Sequence, residues 1–456
     1  MRSAILCSTL CVLLCLLLAG CPKASGSSDD AKTYSVTYYA NGATGGSAPT
    51  DSGEYEKGDK VAVKGTGTLA RTDYGAIGWN SAADGSGTSY LPGKSFTMQG
   101  ADAALYARWG SWKAVGSAGL SAGEACGTSL AFGPNGIPYV AYVDVENGRL
   151  ASVMKYDGGG AAGWTQVGSA CLPTGKLEWR LQLAIDSSGV PYVVYQDWTM
   201  KGAASVLKYS GSSWVQVGSA GFSSVRADSP FLAIDPKGVP FVAYVDMANG
   251  GKASVMKFDG SSWVLVGSMD FSAGGIGDLS LAFDATGVPY VAYPDYSDDS
   301  GSVSVMKLSG SSWVQVGSAR FSAGESGSVS LAFSPMGLPY VAYLDFAYGS
   351  KESVMKFDGS SWVQVGAAGF SGAADYASLA FDPIGVPYVA YMDNENGSKA
   401  SVMKFDGSSW VQVGQAGLSA GATSYISLAF DPAGIPYVAY QDTNASKMAT
   451  VMRLAP

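Results

Sequence analysis

The chain contains no histidine in 456 residues. That absence removes histidine-based catalytic triads, histidine metal clusters and histidine pH switches together. Charge is also scarce: Asp, Glu, Lys and Arg make up 14% of the residues, with a formal net charge of −9. The basic footprint of a nucleic-acid binder is missing, so no nucleic-acid partner is expected. Cysteine is sparse too, with six residues, four of them in the first 21. The longest apolar run, AILCSTLCVLLCLLLAG, holds about fifteen apolar residues, too short for a membrane span and suited to a signal-peptide core. What is plentiful is glycine (61) and tyrosine (26), alongside Val, Phe and Trp. This is a strand-and-turn composition, and an all-β fold is expected.

The N-terminus has its own logic. Met1-Arg2 supplies a short basic start, and the apolar run ends at Leu18-Ala19-Gly20-Cys21. Those four residues resemble a bacterial lipoprotein box. The resemblance implies that residues 1–20 are a signal peptide and that Cys21 is lipidated and becomes the new N-terminus. The alternative is an ordinary secretory signal with a chance cysteine at its end. Several acyl chains, at ~0.8 kcal/mol per buried methylene, make a lasting anchor. The membrane is then a partner through Cys21, and the protein sits in the bacterial cell envelope, on the cytoplasmic or outer membrane. Residues 21–33 continue as PKASGSSDDAKT, small and polar, which reads as a flexible tether.

Residues 34–109 differ in pattern from the rest of the chain. Alternating Val36, Tyr38 and Ala40 predicts a strand, DGSG a tight turn, and LYARW (Leu105–Trp109) a closing strand. The order VTYYANG, YEKG, GWNSAADGSGTSY and LYARW closely resembles the Listeria–Bacteroides repeat, also called the internalin B-repeat. Ile77 departs from it, standing where the family usually has an aromatic. The resemblance implies a small β-grasp-like module of bacterial surface proteins without catalytic residues. Trp79 and Trp109 are expected in its core.

From residue 111 to 456 the sequence repeats. The motif P-[YF]-V-[AV]-Y-x-D begins at Pro138, Pro191, Pro240, Pro289, Pro339, Pro387 and Pro436, and a tryptophan with a V-G after it recurs in step, from Trp112 to Trp410. Seven copies of a unit near fifty residues predict a seven-bladed β-propeller. Each unit has four short apolar runs; in one copy they are SLAFD, PYVAYMD, SVMKFD and WVQVG, separated by turn chemistry. The first unit opens on a last-strand sequence (Trp112), and the final unit ends without one. The N-terminal strand should therefore complete the last blade and close the ring. SVMKFDGSSWVQVG, repeated without change at 353–366 and 401–414, is the outer hairpin of a blade. Its D-G-x-x-W turn resembles the Asp-box of sialidase-type propellers but is one residue short. The intervening Gly110-Ser111 reads as a linker.

Strand direction alternates, so the DPxG and DGSS turns share one nearly invariant face. The second-to-third loops and the connectors share a variable face, where recognition is expected. At that face each repeat ends its second strand on an aspartate: Asp144, Asp197, Asp246, Asp295, Asp345, Asp393 and Asp442. These could bind cations or sugar hydroxyls, or cap their own loops; no metal site or cofactor is assigned. Trp179, Trp198, Tyr296 and Phe346 nearby suit stacking on sugar rings. Cys126 and Cys171, in equivalent connectors, allow a disulfide or two separate buried thiols. The third-strand methionines are expected in blade packing and the lysines after them as solvated edge charges.

Three readings of function compete. One is a non-enzymatic binding or adhesion module, taking carbohydrate or an envelope or host protein through the variable face. Another is a structural scaffold of the envelope. The third, a sialidase-like glycosidase, needs a carboxylate pair or an arginine cluster with a tyrosine nucleophile. Arg149, Arg180, Arg226 and Arg320 occupy unmatched positions, and near-identical blades speak against one asymmetric active site.

Overall fold

The computed structural model describes residues 32–456, except 159–162, 170–171, 173–176, 178–179, 224–225 and 299. The signal segment, Cys21 and most of the tether lie outside the described residues, as do Cys171 and Trp179. The fold is all-β with a propeller arrangement, built from short antiparallel strands and single 3-10 turns.

The N-terminal module contains β1 (Val36–Tyr39), β2 (Lys60–Ala62), β3 (Gly75–Asn80), β4 (Ser89–Tyr90), β5 (Ser95–Thr97) and the first part of β6 (Ala103–Ala114). β1 pairs in parallel with β6, β3 pairs antiparallel on its other side, and β2 and β5 form a separate pair. The expected alternation in β1 holds: Val36 and Tyr38 point into a core with Leu69, Trp79, Met98 and Leu105. Trp79 is fully buried and its indole donates to the Lys64 carbonyl at 2.9 Å, a core role as expected. The half-buried Trp109 donates to the Asn41 carbonyl at 2.7 Å.

Gly110-Ser111 is not a linker. It lies inside β6, which runs on without a break: Gly110 pairs with Gly75 of β3, while Ser111 and Trp112 pair with Ala455 and Leu454. One strand thus serves both parts of the chain. A side chain at Gly110 would meet the Ala455 carbonyl and Ile77 at 2.8 Å, so only glycine lets the two sheets meet there. Ile77 packs with Trp112, Val413 and Leu454 rather than with the module's own core.

The module also covers part of the invariant face. Ile384, in a DPxG turn, lies against Gly65 and Gly93, and Lys404 donates to Thr66 Oγ1 at 3.2 Å. Lys404 is therefore buried, unlike the solvated charge its sequence position predicts, and that burial lowers its pKa. The junction encloses a cavity of about 360 Å³. Its polar groups are engaged within the interface, Asp382 accepting the Ile384 and Val386 amides.

Beyond the junction, six antiparallel four-stranded sheets succeed one another in chain order, each with its hairpin turns where the sequence places them. In the last repeat three strands pair with β6 as fourth, inside a larger sheet that continues into β3 and β4. The second strands are buried on both faces, with Val140, Ala141 and Tyr142 at 2% exposure or less. Each core cluster joins consecutive repeats, as where Val194 and Val206 pack with Leu232 and Val242.

The recurring tryptophan explains the copied hairpin. Each indole donates to a valine carbonyl one repeat earlier: Trp164 to Val115, Trp214 to Val167, Trp263 to Val217, Trp313 to Val266, Trp362 to Val316 and Trp410 to Val365, all at 2.7–2.8 Å. Trp112 closes the series on Val413 at 2.7 Å. The glycine after that valine is needed because the next tryptophan lies on it: a Cβ on Gly218 would meet Trp263 Cδ1 at 2.9 Å, at a φ of +65°. Trp and V-G recur together because each copy supplies the seat for its neighbour's indole. A unit that packs on copies of itself constrains both sides of one interface at once.

Candidate ligand-binding site

The ring of aspartates is the first candidate, and its geometry is that of capping. All seven are between 1% and 4% exposed. Asp197, Asp246, Asp345 and Asp442 each accept a backbone amide two residues on, in the adjoining 3-10 turn, at 3.0–3.2 Å. Asp295 does the same with Ser297, while Asp144 and Asp393 take the amides of Asn147 and Asn396. The other oxygen accepts a third-strand serine hydroxyl in several repeats, as Ser353 to Asp345 at 2.9 Å. These carboxylates face their own loops and are not presented to a ligand. Asp345→Ala is expected to cost roughly 1–2 kcal/mol of stability, the worth of a buried cap, and to leave ligand binding unchanged. Chemical denaturation paired with a binding assay checks both halves.

The predicted aromatics are scattered. Trp198 is half-buried in the turn Trp198–Met200, with the Arg226 guanidinium 5.4 Å from its ring centre and Arg226 paired to Asp228 at 2.8 Å. Tyr296 is half-buried between Gly277 and Gly301, and burial raises its phenol pKa. Phe346 is 43% exposed. They belong to three different repeats, and none lines a shared pocket with the others among the described residues. Trp179 lies outside the described residues. Cys126 is a free, buried thiol whose pKa burial pushes up to about 11; Cys171 lies outside the described residues.

What brings several repeats together is the axis. The innermost strands neighbour one another in sequence order, and the last lies beside the first. A second set of bonds ties them: Ser129 Oγ accepts the Leu183 amide, Gln182 Oε1 that of Leu232, Ser280 that of Leu331, Ser330 that of Leu379, Ser378 that of Leu428 and Ser427 that of Leu130. Phe231 stands in that position in the third repeat.

Two residues before this conserved position, the repeats diverge. The column reads Gly127, Arg180, Ser229, Asp278, Ser328, Tyr376 and Tyr425. All seven line one cavity of about 240 Å³ at the variable-face end of the axis. Five of the innermost strands carry a bulge there, and the inserted residue has positive φ: +61° at Gly127, +46° at Ser229, +45° at Ser328, +59° at Tyr376 and +56° at Tyr425. A left-handed backbone costs roughly 1–2 kcal/mol for a residue with a side chain. Bulges of this kind re-aim a side chain, and strain persists where the surroundings over-determine it, often at functional sites.

The polar groups of this mouth are unusual for a propeller of near-copies. Arg180 Nη1 donates to Asp278 Oδ1 at 2.9 Å, joining the second and fourth repeats across the third. The side chains are 54% and 23% exposed. The Asp278 charge beside it raises the Arg180 pKa. The rings of Tyr376 and Tyr425 lie 5.5 Å apart, tilted by 52°. Burial raises both phenols, Tyr425 to about 12, so both are neutral donors at physiological pH. Thr128 donates its hydroxyl to the Tyr425 carbonyl, fixing that bulge from the neighbouring repeat. Among the described residues no cluster of His, Cys, Asp or Glu is arranged for a metal.

Sequence reasoning missed this mouth. Arg180 was visible only as an unmatched arginine, and the tyrosines sit next to the conserved SLAF segment. Aligning the repeats shows divergence in this column, but the columns on either side diverge too (Thr128, Leu181 and Pro230 follow it in the first three repeats), so the sequence does not single it out.

Comparison with known proteins bears on the two parts separately. Residues 34–108 match the Listeria-Bacteroides repeat domain. A stretch of 79 residues is 40% identical to a protein of Evansella cellulosilytica described as a membrane protein, covering 17% of this chain and 12% of that one. A Gly-rich membrane protein of the same organism is 39% identical over 80 residues, covering 17% and 9%. The match thus spans only a small part of these relatives. The Burkholderia pseudomallei lectin BP39L superposes with a TM-score of 0.53 at 14% identity, over 73% of this chain and 96% of the lectin. An ulvan lyase superposes with a TM-score of 0.48 at 12% identity, over 75% of this chain and 95% of the lyase. At such identities the likeness is one of fold. No helix among the described residues is long and apolar enough to cross a membrane.

Proposed function

We propose that the protein is a non-enzymatic binding or adhesion module of the bacterial cell envelope, anchored by lipid on Cys21, that takes its ligand at the axial mouth of the variable face. The observation that carries this reading is the divergent column. Repeats built on one pattern differ at the position aimed at the axis, and there they hold an ion pair and two strained tyrosines. Repetition supplies the rigid frame, and divergence at one column supplies the asymmetry a single site needs.

We read the larger sheet of the last repeat as the seventh blade, closed by β6. The tryptophan bonds running through Trp112 and the serine bonds running through Ser427 support that count. The N-terminal module is read as β-grasp-like and as a spacer. β1 is parallel to β6, with Val36 opposite Ala103, so the tether enters at the pole far from the propeller. The seven β6 residues Ala103–Trp109 span about 23 Å at ~3.3 Å each. Because the module sits on part of the invariant face, the variable face points away from an anchoring membrane. Against catalysis stands the single carboxylate that lines the mouth among the described residues, Asp278, already paired to Arg180, whereas a glycosidase of the usual kind needs two.

A scaffold that holds a partner protein is the second reading. It draws on Met200, Met247, Met269, Phe346 and Tyr348, all at least 43% exposed in loops of the variable face. The full chain, probed against arrayed glycans and envelope proteins, distinguishes the two. Saturable capture lost in Tyr376→Ala/Tyr425→Ala and kept in Phe346→Ala supports the axial mouth. Capture that survives the double substitution removes it and moves the site to the loops.

A further inference from the structure

Resting on that reading, the geometry points to one uncharged sugar ring as the ligand of the axial mouth, set against Tyr376 with its hydroxyls shared between Asp278 and Arg180. Charge is the first argument. Arg180 and Asp278 carry opposite charges and pair with each other, so the described lining of the mouth has no net charge to favour an anion or a cation. A carboxylate ligand at Arg180 would sit beside the like charge of Asp278, and an ammonium at Asp278 beside the like charge of Arg180.

The second argument is what the pair leaves unspent. Arg180 gives Nη1 to Asp278, and Asp278 Oδ1 also accepts the Leu279 amide. Nε and Nη2 of Arg180 and Oδ2 of Asp278 have no hydrogen-bond partner among the described residues. Adjacent donor and acceptor groups, rigidly held, suit a vicinal diol, in which each hydroxyl both donates and accepts.

The third argument is the apolar complement. Sugar rings carry a face of C–H groups, and neighbouring Tyr376 and Tyr425 supply aromatic surface beside the polar pair. A cavity of about 240 Å³ lies below the ~300–1,000 Å³ of pockets that hold drug-sized ligands, so it admits one ring and not a chain. Preorganisation is the fourth. The bulges are fixed by hydrogen bonds between repeats, so little is spent on ordering the site when it is filled.

The test uses the full chain with free monosaccharides in solution: glucose, galactose, mannose, fucose and N-acetylglucosamine, with glucuronate and sialic acid as charged comparators. Saturation-transfer NMR and calorimetry read binding. At least one neutral sugar is expected to saturate, with affinity reduced tenfold or more in Asp278→Asn and in Tyr376→Ala, and unchanged in Phe346→Ala. Thermal melts of each variant separate loss of the site from loss of the fold, and Asp278→Asn keeps the shape should Tyr376→Ala not fold. Tighter binding of glucuronate or sialic acid than of every neutral sugar overturns the inference. So does the absence of saturation by any monosaccharide. If that absence comes while Tyr376→Ala/Tyr425→Ala still abolishes capture of an arrayed partner, the sugar inference falls and the axial mouth stands. If neither is seen, both fall.

Discussion

Replacing Glu352 with alanine should make the protein markedly more stable, and increasingly so as the pH rises. Glu352 lies in the third strand Lys351–Phe357 of the fifth repeat, 0% exposed, with neither carboxyl oxygen bonded among the described residues. The equivalent residues are Ala151, Ala204, Ala253, Val303, Ala400 and Ala449. The site is built for a small apolar group, so alanine fills it without new strain. Burial, and secondarily the charge of Asp375 on the next innermost strand, push the Glu352 pKa up to about 8. The facing Tyr391 phenol is itself raised above its ordinary range by burial, so it brings no charge of its own near neutrality.

The sign comes from linkage. An acid whose folded pKa exceeds its unfolded value binds its proton more tightly in the folded state. Below about pH 4.5 both states hold the proton, and the ionisation penalty is absent. Between about 4.5 and 8 the unfolded chain releases the proton while the folded chain keeps it, so stability falls as pH rises. Above that range the full penalty applies, on the order of 5 kcal/mol at ~1.4 kcal/mol per pKa unit. Denaturant titrations at pH 5 and pH 9 should show the gap between wild type and Glu352→Ala widening toward alkaline pH. Glu352→Gln should remove the pH slope but recover less stability, since an amide remains buried without partners. A gap that does not change with pH would refute the buried acid.

The architecture was largely legible in the sequence because each of its causes leaves a local trace. Regular spacing of P-[YF]-V-[AV]-Y-x-D marked the repeat, and turn residues marked the hairpins. The strand missing at the C-terminus and present at Trp112 marked the pairing of the two ends. The reading failed where cause and trace separate. Gly110-Ser111 looks like a linker because both residues are small, yet glycine is there to let three backbone segments meet. Lys404 looks like every other lysine of its column; only the docked module buries it.

The site was less legible for a related reason. Loops differ visibly, so the variable face drew attention to Trp198, Tyr296 and Phe346. The repeated aspartates drew it because they are invariant, yet an invariant capping residue is what a repeated turn requires. The axial column hides in a segment whose neighbouring positions vary as well, and a bulge breaks the simple alternation by which a strand is recognised. Only in three dimensions do Arg180 and Asp278, 98 residues apart, form one ion pair.

The seam yields the other large effect. Trp112→Ala should cost about 3–5 kcal/mol, the usual range for emptying a buried aromatic site. The residue is 8% exposed, its indole bonds the Val413 carbonyl, and it packs with Leu454, Val413 and Ile77. Trp263→Ala removes an equivalent side chain from the middle of the chain, with the same bond to Val217. The two should lose similar global stability, yet they should open differently. The strand of Trp263 is tied to its sheet by the short turn from Phe258, whereas β6 meets the C-terminal strand Met448–Ala455 without a turn, through side-by-side pairing of Ser111–Ala114 with Met452–Ala455 and the bond of the Val115 amide to the Val451 carbonyl. With no turn joining them, loss of the indole should let the two ends of the repeat array separate locally before the rest unfolds. Amide hydrogen exchange at Arg453 and Leu454 should then rise by tenfold or more in Trp112→Ala and stay near wild type in Trp263→Ala. Equal protection of those amides in both variants would mean that backbone pairing alone holds the ends together, and that the tryptophan ring is a matter of packing rather than of closure.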